Sequence, residues 1–368
     1  MKNIILIDDL ANNGWKSVLK KAVVKDTGDI KALSTYDLAI QEIKTKVDLI
    51  FLDVRLTEED HNKDNISEMS GYQILKKIRN NFVSPNFSTP IILLTASNKI
   101  WIVEEFKQYG VDAFYIKEHP DYSFSKKYSR ENLERLQTNY SELIKKGEKR
   151  EKVWNMSKSI IDKLENHKYF NDNLICKNVK TRIIDKLKLS YAYLFNSQTE
   201  IEKNTLKADN ESLAFIIYWS ILEEIVKGFS DINNWNGYNK DSFSGIWKFQ
   251  NNKKFINKDG DTIIVYPFKE NGKYVEKKIL RGEKNYKNYE EGFVNLSEQV
   301  YALLFLYGIE GKDKFTKLNT FRNEVDYIHS TVNVIFNNPL INNDNQQKTY
   351  ENINKMLKLI SEILNYPK

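Results

Sequence analysis

Five polar residues in the N-terminal part of the chain have side chains suited to phosphoryl transfer. Three are the carboxylates of Asp8, Asp9 and Asp53, and the other two are Thr95 and Lys117. Three carboxylates in one crevice repel one another unless a cation neutralises them, and hard oxygen ligands suit Mg²⁺. One carboxylate could then attack phosphorus as a nucleophile. A hydroxyl and an ammonium group opposite it could bind the transferred phosphoryl oxygens.

The segments that would position these residues alternate between short apolar runs and helical patterns. The apolar runs are Asn3–Ile7, Asp48–Val54, Pro90–Thr95 and Asp112–Ile116, with Ile30–Leu33 as a weaker fifth, and the first helices are Trp15–Val24 and Gly71–Ile78. Continuous apolar strands separated by helices predict a parallel sheet that is buried on both faces. Sites in such sheets form at the carboxyl ends of the strands, where we expect the five polar residues to meet.

These segments resemble the receiver domain of bacterial two-component response regulators. The matching stretches are IILIDD, LIFLDVRL, IILLTAS and FYIK, within residues 1–125. The resemblance implies a flavodoxin-like α/β domain with a five-stranded parallel sheet. It also implies that a histidine kinase or another phosphodonor phosphorylates Asp53.

By this resemblance, each polar residue would contact the metal or the phosphoryl group. The Mg²⁺ ligands would be Asp8, Asp9, Asp53 and the backbone carbonyl of Arg55, while Thr95 and Lys117 would bind the phosphoryl group and Phe114 would occupy the aromatic switch position.

Two features depart from the receiver pattern. Glu118 stands where the family usually has Pro after the Lys, and Thr57 replaces the usual Pro of the loop after the acceptor. Gly71 also lies further from Asp53 than is usual, so Glu58–Glu68 is interpreted as an acidic insertion that covers the site or recruits a partner. A receiver that is never phosphorylated is the alternative that these departures leave open.

Beyond residue 125 the pattern becomes mainly helical. We predict a helical connector at 126–168, with a break near Gly147, and a helical output domain at 169–368. Its helices are expected at about 177–196, 210–228, 296–307, 313–332 and 346–365. A β-hairpin insertion is predicted at about 236–291, because Asn271-Gly272 separates two strand-like runs, Thr262–Phe268 and Lys273–Leu280.

One helix of the second half carries a possible second site. Arg322 and His329 are seven residues apart, which puts them on nearly the same face of a helix. Together with Asp326 they follow the edge of an apolar stripe. That stripe is made of Leu318, Phe321, Val325, Ile328 and Val332. Polar residues at such an edge could line a cleft or a dimer interface.

This motif, Arg322-Asn323 followed after five residues by His329, resembles that of the HEPN superfamily of small helical domains, many of them ribonucleases. The apolar helix 212–229 also resembles a HEPN core helix. The resemblance implies that Arg322 holds the scissile phosphate, Asn323 helps to position it, and His329 is the general acid/base. It further implies a homodimer with facing motifs, no metal, and products that end in a 2′,3′-cyclic phosphate.

The bare spacing of that motif is weak. Arg55 and His61 also satisfy it, although they lie in the receiver loop. The plain alternative is an Arg322–Asp326 ion pair on one helix with His329 as a surface residue.

The bulk composition is that of a globular protein with two domains. The chain has 368 residues, of which 41% are hydrophobic and 29% charged. Cys176 is the only cysteine, which excludes an intrachain disulfide and a Cys-based zinc site and fits a reducing cytosol. No apolar run reaches the roughly 18 residues that span a membrane, and the early acidic residues do not fit a signal peptide. We therefore predict a cytoplasmic protein with no membrane partner.

The net charge differs between the two parts, at −2 for residues 1–125 and +8 for the remainder. A basic second half is compatible with an RNA partner, although surface lysines alone give the same balance. The leading hypothesis is a response regulator in which phosphorylation of Asp53 controls a HEPN-type endoribonuclease. The alternatives are a non-catalytic dimerisation or adaptor protein and an atypical transcription regulator.

Overall fold

The computed structural model describes two compact units, one made mainly of Met1–Trp154 and one that begins at Asn155. The described residues are 1–63, 65–96, 100–117, 126–167, 170–171, 174–195, 210–229, 248–250, 254–256, 263–270, 273–280, 300, 315, 317–320, 322 and 343–365.

The first unit is built on a five-stranded parallel sheet. Its strands are β1 (Lys2–Ile7), β2 (Gly28–Leu33), β3 (Leu49–Asp53), β4 (Ile91–Thr95) and β5 (Ala113–Ile116). They lie in the order β2-β1-β3-β4-β5, which is the doubly wound order of flavodoxin-like folds. The predicted fold of this part is therefore confirmed, including the weak strand β2.

Helices cover both faces of this sheet. They are α1 (Lys16–Leu19), flanked by π-helical turns at Ala11–Trp15 and Lys20–Val24, then α2 (Tyr36–Glu42), α3 (Ser70–Arg79), α4 (Ile100–Gln108) and the start of α5 (Lys126–Asn166). Alternate strand residues point to opposite faces, so each apolar run contributes to two cores. Ile5, Ile50 and Leu93 belong to one core, and Leu6 and Phe51 belong to the other.

The predicted break near Gly147 is wrong, because α5 runs without interruption from Lys126 to Asn166. Gly147 is buried against Pro90, and a Cβ at this position would lie 2.9 Å from the Pro90 Cγ atom and 3.1 Å from Cδ. The glycine therefore permits a close approach of α5 to the amino end of β4. It does not end the helix.

Buried polar contacts fasten this part of α5 to the amino ends of the strands. The Arg150 guanidinium lies 2.5 Å from the buried Asp112 carboxylate, which Arg79 also approaches at 3.5 Å. The Trp154 indole N–H donates to the Phe82 carbonyl at 2.6 Å. These contacts lie at the edge of the sheet opposite to the carboxyl ends of the strands.

Three further helices are described in the second unit, together with the last residues of α5. They are α6 (Leu174–Phe195), α7 (Asn210–Phe229) and α8 (Asn343–Ile363). The buried Glu224 of α7 pairs with Arg182 at 2.8 Å and Lys186 at 2.9 Å on α6. The Lys163 ammonium of α5 donates to the Ser361 carbonyl of α8 at 2.8 Å. No helix among the described residues is long and apolar enough to cross a membrane.

The described residues of the predicted hairpin insertion form four strands. They are β6 (Lys248–Gln250), β7 (Lys254–Ile256), β8 (Ile263–Glu270) and β9 (Lys273–Leu280). Strands β8 and β9 pair antiparallel, with Glu270 opposite Lys273 on either side of the predicted Asn-Gly turn. The turn itself, the predicted helix at 296–307 and most of that at 313–332 lie outside the described residues.

The contact between Gly147 and Pro90 predicts an unusual result for a helix substitution. Gly147→Ala is expected to lower the free energy of unfolding by about 1 kcal/mol, because overpacking costs about 1–3 kcal/mol and the better helix propensity of Ala returns only about 1 kcal/mol. Urea unfolding followed by circular dichroism measures the change. Ser141→Ala, at an exposed position of the same helix, is the control and should cause no such loss. A gain in stability for Gly147→Ala would contradict the close contact.

Candidate phosphoryl-acceptor site

The carboxyl ends of the parallel strands bring the predicted acidic residues together. Asp8 and Asp9 follow β1, and Asp53 is the last residue of β3, the neighbouring strand. One carboxylate oxygen from each of the three lies within 4.8 Å of the others. Asp8 and Asp53 are buried, and Asp9 is exposed.

Lys117 joins the two buried carboxylates. It follows β5, and its ammonium lies 2.5 Å from Asp53 Oδ2 and 2.6 Å from Asp8 Oδ2. Its backbone N–H donates to the carbonyl of Thr95, the buried last residue of β4, at 2.7 Å. The five residues that the sequence predicts to meet thus end or follow β1, β3, β4 and β5 at one edge of the sheet. The centroid of the Trp15 ring lies 5.5 Å from the same ammonium.

Burial and charge set the protonation of this cluster. Burial raises the pKa of Asp53 to about 6, with the Asp8 carboxylate adding to the rise and the Lys117 ammonium opposing it. Burial likewise raises the pKa of Asp8. For Lys117, burial lowers the pKa but the two carboxylates outweigh it, so the pKa is raised. At neutral pH the mostly ionised Asp53 carboxylate therefore lies against the Lys117 ammonium.

The donor set fits a divalent cation such as Mg²⁺. Three carboxylates supply hard oxygen ligands, and Asp8 Oδ2 is buried without accepting a hydrogen bond from the described residues, although the Lys117 ammonium lies close to it. Asp8, Asp9 and Asp53 would hold the ion. The Arg55 carbonyl stays a predicted fourth ligand.

Gly71 allows α3 to begin directly against β3, the strand that ends at Asp53. Its N–H donates to the Val54 carbonyl at 3.1 Å, and a Cβ at Gly71 would lie 2.7 Å from that carbonyl oxygen and closer still to that of Asp53. Only glycine tolerates this approach without a shift of the backbone. The displaced Gly of the sequence pattern therefore sits beside Asp53 in space, in spite of the insertion between them.

The acidic insertion is folded around one residue that sequence analysis missed. Asp60 is fully buried and accepts hydrogen bonds from the backbone N–H of Leu56 at 2.9 Å and of Ser70 at 3.2 Å. It also pairs with the Lys63 ammonium at 2.7 Å. Burial alone would raise its pKa, but these hydrogen bonds hold the pKa of Asp60 well below the usual range. The Thr57-x-x-Asp60 capping box was the available sequence signal.

Two other predicted residues have contacts within the first unit. Phe114 is half-buried on β5, and the Lys107 ammonium lies 5.1 Å from its ring. The guanidinium of Arg55 approaches His61 of the insertion at 3.5 Å. The switch role of Phe114 remains a prediction.

The predicted second site is described only in part. Arg322 is half-buried in the second unit, and its guanidinium carbon lies 4.9 Å from the centroid of the Trp219 ring. Asn323 and His329 lie outside the described residues, as does Asp326. Sequence analysis did not single out Trp219, which lies in α7.

Solved structures of response-regulator receiver domains match the N-terminal part of this chain. The signal receiver domain of a Luxo repressor protein from Vibrio parahaemolyticus is 25% identical over 40% of this chain and 94% of that one, with a TM-score of 0.30. A two-component response regulator from Clostridium difficile is 23% identical over 38% and 97%, with a TM-score of 0.27. A Burkholderia pseudomallei response regulator, solved with a phosphorylated aspartic acid, a calcium ion and citrate, is 22% identical over 39% and 70%, with a TM-score of 0.27. No protein-family model and no curated protein matches the sequence.

The raised pKa of Asp53 predicts that Asp53→Asn stabilises the protein in metal-free buffer. A folded-state pKa of about 6, above the ordinary carboxyl value, means that ionisation of Asp53 costs stability. The penalty is absent near pH 4 and complete above the folded pKa. The gain should therefore grow between these pH values and reach about 3 kcal/mol at neutral pH, while Lys117 keeps Asp8 as its partner.

The matched control is the same substitution at Asp112. This carboxylate is buried too, but Arg150 and Arg79 outweigh the effect of burial and lower its pKa, so its charge stabilises the fold above the ordinary carboxyl pKa. Asp112→Asn should therefore destabilise the protein at neutral pH. Urea unfolding at several pH values measures both variants. A loss of stability in Asp53→Asn at neutral pH would contradict the assignment of charge.

Proposed function

We propose that the first unit is the receiver of a two-component response regulator, and that Asp53 accepts the phosphoryl group. The contact of Lys117 with both buried carboxylates carries this proposal. An ammonium that touches the acceptor carboxylate is also within reach of a phosphoryl oxygen attached to that carboxylate. The hydroxyl of Thr95, at the end of the neighbouring strand, would be the second group to bind the phosphoryl oxygens.

The reaction is a transfer from a phosphohistidine or a small phosphodonor. An Asp53 oxygen attacks phosphorus and forms an acyl phosphate, while the bond from phosphorus to the donor breaks and the leaving group takes the electron pair. Attack requires the ionised carboxylate, and a pKa of about 6 leaves Asp53 mostly ionised at neutral pH. When bound, Mg²⁺ would offset the negative charge that the carboxylates and the phosphoryl group bring together.

Phosphorylation of the full chain tests the receiver assignment. Incubation with acetyl phosphate and Mg²⁺ should produce a phosphorylated species that phosphate-affinity electrophoresis separates from the unmodified chain. Asp53→Asn should abolish it, because the nucleophile is lost, and Asp8→Asn should reduce it at least tenfold, a loss of about 1.4 kcal/mol of barrier lowering. Asp26→Asn, at an exposed position of the same unit, is the control and should leave it unchanged. Equal labelling of Asp53→Asn and the wild type would refute the assignment.

We propose in addition that the second unit is the output, and that it is a metal-independent endoribonuclease of the HEPN type. Support comes from the Arg322-Asn323-x5-His329 pattern, the net charge of +8 beyond residue 125, and the packing of Arg322 on α7. Arg322 would bind the scissile phosphate, with Asn323 beside it. His329 would move the proton.

The proposed cleavage of RNA needs no water and no metal. The 2′-oxygen loses its proton to a base and attacks the adjacent phosphorus, and the bond to the 5′-oxygen breaks as that oxygen takes up a proton. The products are a 2′,3′-cyclic phosphate and a 5′-hydroxyl. In the dimer that the family resemblance implies, two motifs would face one another.

Cleavage of single-stranded RNA by the purified chain in EDTA tests the ribonuclease. Activity should fall by about 10²–10⁴-fold in His329→Ala, the usual contribution of a general acid/base, and His61→Ala should retain it. His61 is the matched control because Arg55 and His61 share the motif spacing within the receiver. Equal cleavage by His329→Ala would refute the ribonuclease. So would no cleavage by the wild type, whether unmodified or phosphorylated with acetyl phosphate and Mg²⁺ before EDTA is added.

The same samples separate the two alternatives. Phosphorylation-dependent dimerisation without cleavage would identify a non-catalytic adaptor. A salt-dependent, sequence-selective shift of duplex DNA would identify a transcription regulator.

A further inference from the structure

Trp219 contacts Phe315 and Arg322, two residues in helical conformation. The indole is 2% exposed on α7, and the Phe315 ring stacks on it with centroids 5.3 Å apart and an interplanar angle of 17°. The Arg322 guanidinium carbon lies 4.9 Å from the centroid of the same indole. Phe315 and Arg322 are seven residues apart in sequence, and both contact this one ring.

An aromatic ring beneath a guanidinium restricts where that group can point. The ring attracts the cation through its face, and the attraction grows when the pair is shielded from water. The guanidinium is planar and carries five N–H donors in fixed directions, so its orientation decides which acceptors it can bind. Contact with the buried indole therefore limits the orientations that the Arg322 guanidinium can adopt.

The indole N–H gives a second, independent observation. Trp219 Nε1 is buried and donates no hydrogen bond to any described residue. An indole nitrogen can only donate, and buried donors normally have an acceptor. The ring that carries this N–H also contacts the positive guanidinium of Arg322, and a negatively charged acceptor, such as a phosphodiester oxygen, would suit both groups.

We propose that Trp219 is a positioning residue for phosphodiester binding, which orients Arg322 toward the phosphate of single-stranded RNA. This inference rests on the proposed ribonuclease and adds to it a residue outside the Arg-Asn-His motif. A purely structural contact would stabilise the fold in the same way but would not affect RNA affinity once the protein is folded.

The test measures binding of a fluorescent single-stranded 2′-O-methyl RNA to the full chain by anisotropy. This RNA lacks the free 2′-hydroxyl and cannot be cleaved by the proposed reaction. Trp219→Leu and Arg322→Met should each raise the dissociation constant about tenfold, and the double variant should bind no more weakly than either single variant. Trp154→Leu, at another buried tryptophan, is the matched control and should bind as wild type does.

Arg322→Lys keeps the inference testable if Trp219→Leu does not fold. Lys retains the charge without the planar donor group, so it should bind RNA as weakly as Arg322→Met does. Arg182→Lys is its control, since Arg182 pairs with Glu224. Wild-type affinity in Arg322→Lys, unchanged affinity in folded Trp219→Leu, or fully additive effects in the double variant would overturn the positioning role.

Cleavage of unmodified RNA, measured on the same variants, separates this inference from the proposed function. Cleavage that depends on His329, with unchanged RNA affinity in Trp219→Leu, would overturn the role of Trp219 alone. Binding that depends on Trp219, without cleavage by any variant, would support the inference and overturn the ribonuclease alone. A wild-type chain that binds no RNA would overturn the inference whatever the cleavage assay gives.

Discussion

The contact of one ammonium with two buried carboxylates organises the first unit. Asp8 and Asp53 end neighbouring strands, so the parallel sheet forces their charges together, and burial makes that repulsion costly. Lys117 follows β5, and its ammonium reaches past β4 to offset part of the negative charge of these two carboxylates. A phosphoryl group on Asp53 would bring more negative charge to the same ammonium. The proposed phosphorylation would then change the conformation that satisfies Lys117, and in this way a local charge would bias a two-state element.

Close packing and buried hydrogen bonds stabilise both ends of the parallel strands. Gly71 lets α3 start against the carbonyls of Asp53 and Val54. Asp60 accepts hydrogen bonds from the backbone of Leu56 and Ser70, and so connects the insertion to the first residue of that helix. At the opposite edge, Gly147 and Arg150 fasten α5 to the amino ends of the strands. Helix α5 extends from this sheet into the second unit, so the proposed switch and the proposed output share one continuous element.

The parallel sheet and the polar residues at its carboxyl ends could be predicted, because the sequence patterns that indicate them are local. A strand buried on both faces reads as an apolar run, and a polar residue at its end must lie at the edge of the sheet, as Asp53 and Thr95 do. Gly147 could not be interpreted in this way. A glycine in a helical pattern indicates a break, and only the position of Pro90, distant in sequence, explains why the helix continues. Trp219 was missed for a similar reason, since an aromatic residue in an apolar helix reads as core until its contact with Arg322 is known.

The most direct test of the central claim is to identify the residue that carries the phosphoryl group. After incubation with acetyl phosphate and Mg²⁺, borohydride reduces an acyl phosphate to an alcohol, and peptide mass spectrometry then shows which aspartate has become homoserine. We predict homoserine at position 53 and at no other aspartate. Reduction at Asp8, Asp9 or Asp60 with Asp53 intact, or phosphate found only on a side chain outside the carboxylate cluster, would contradict this account.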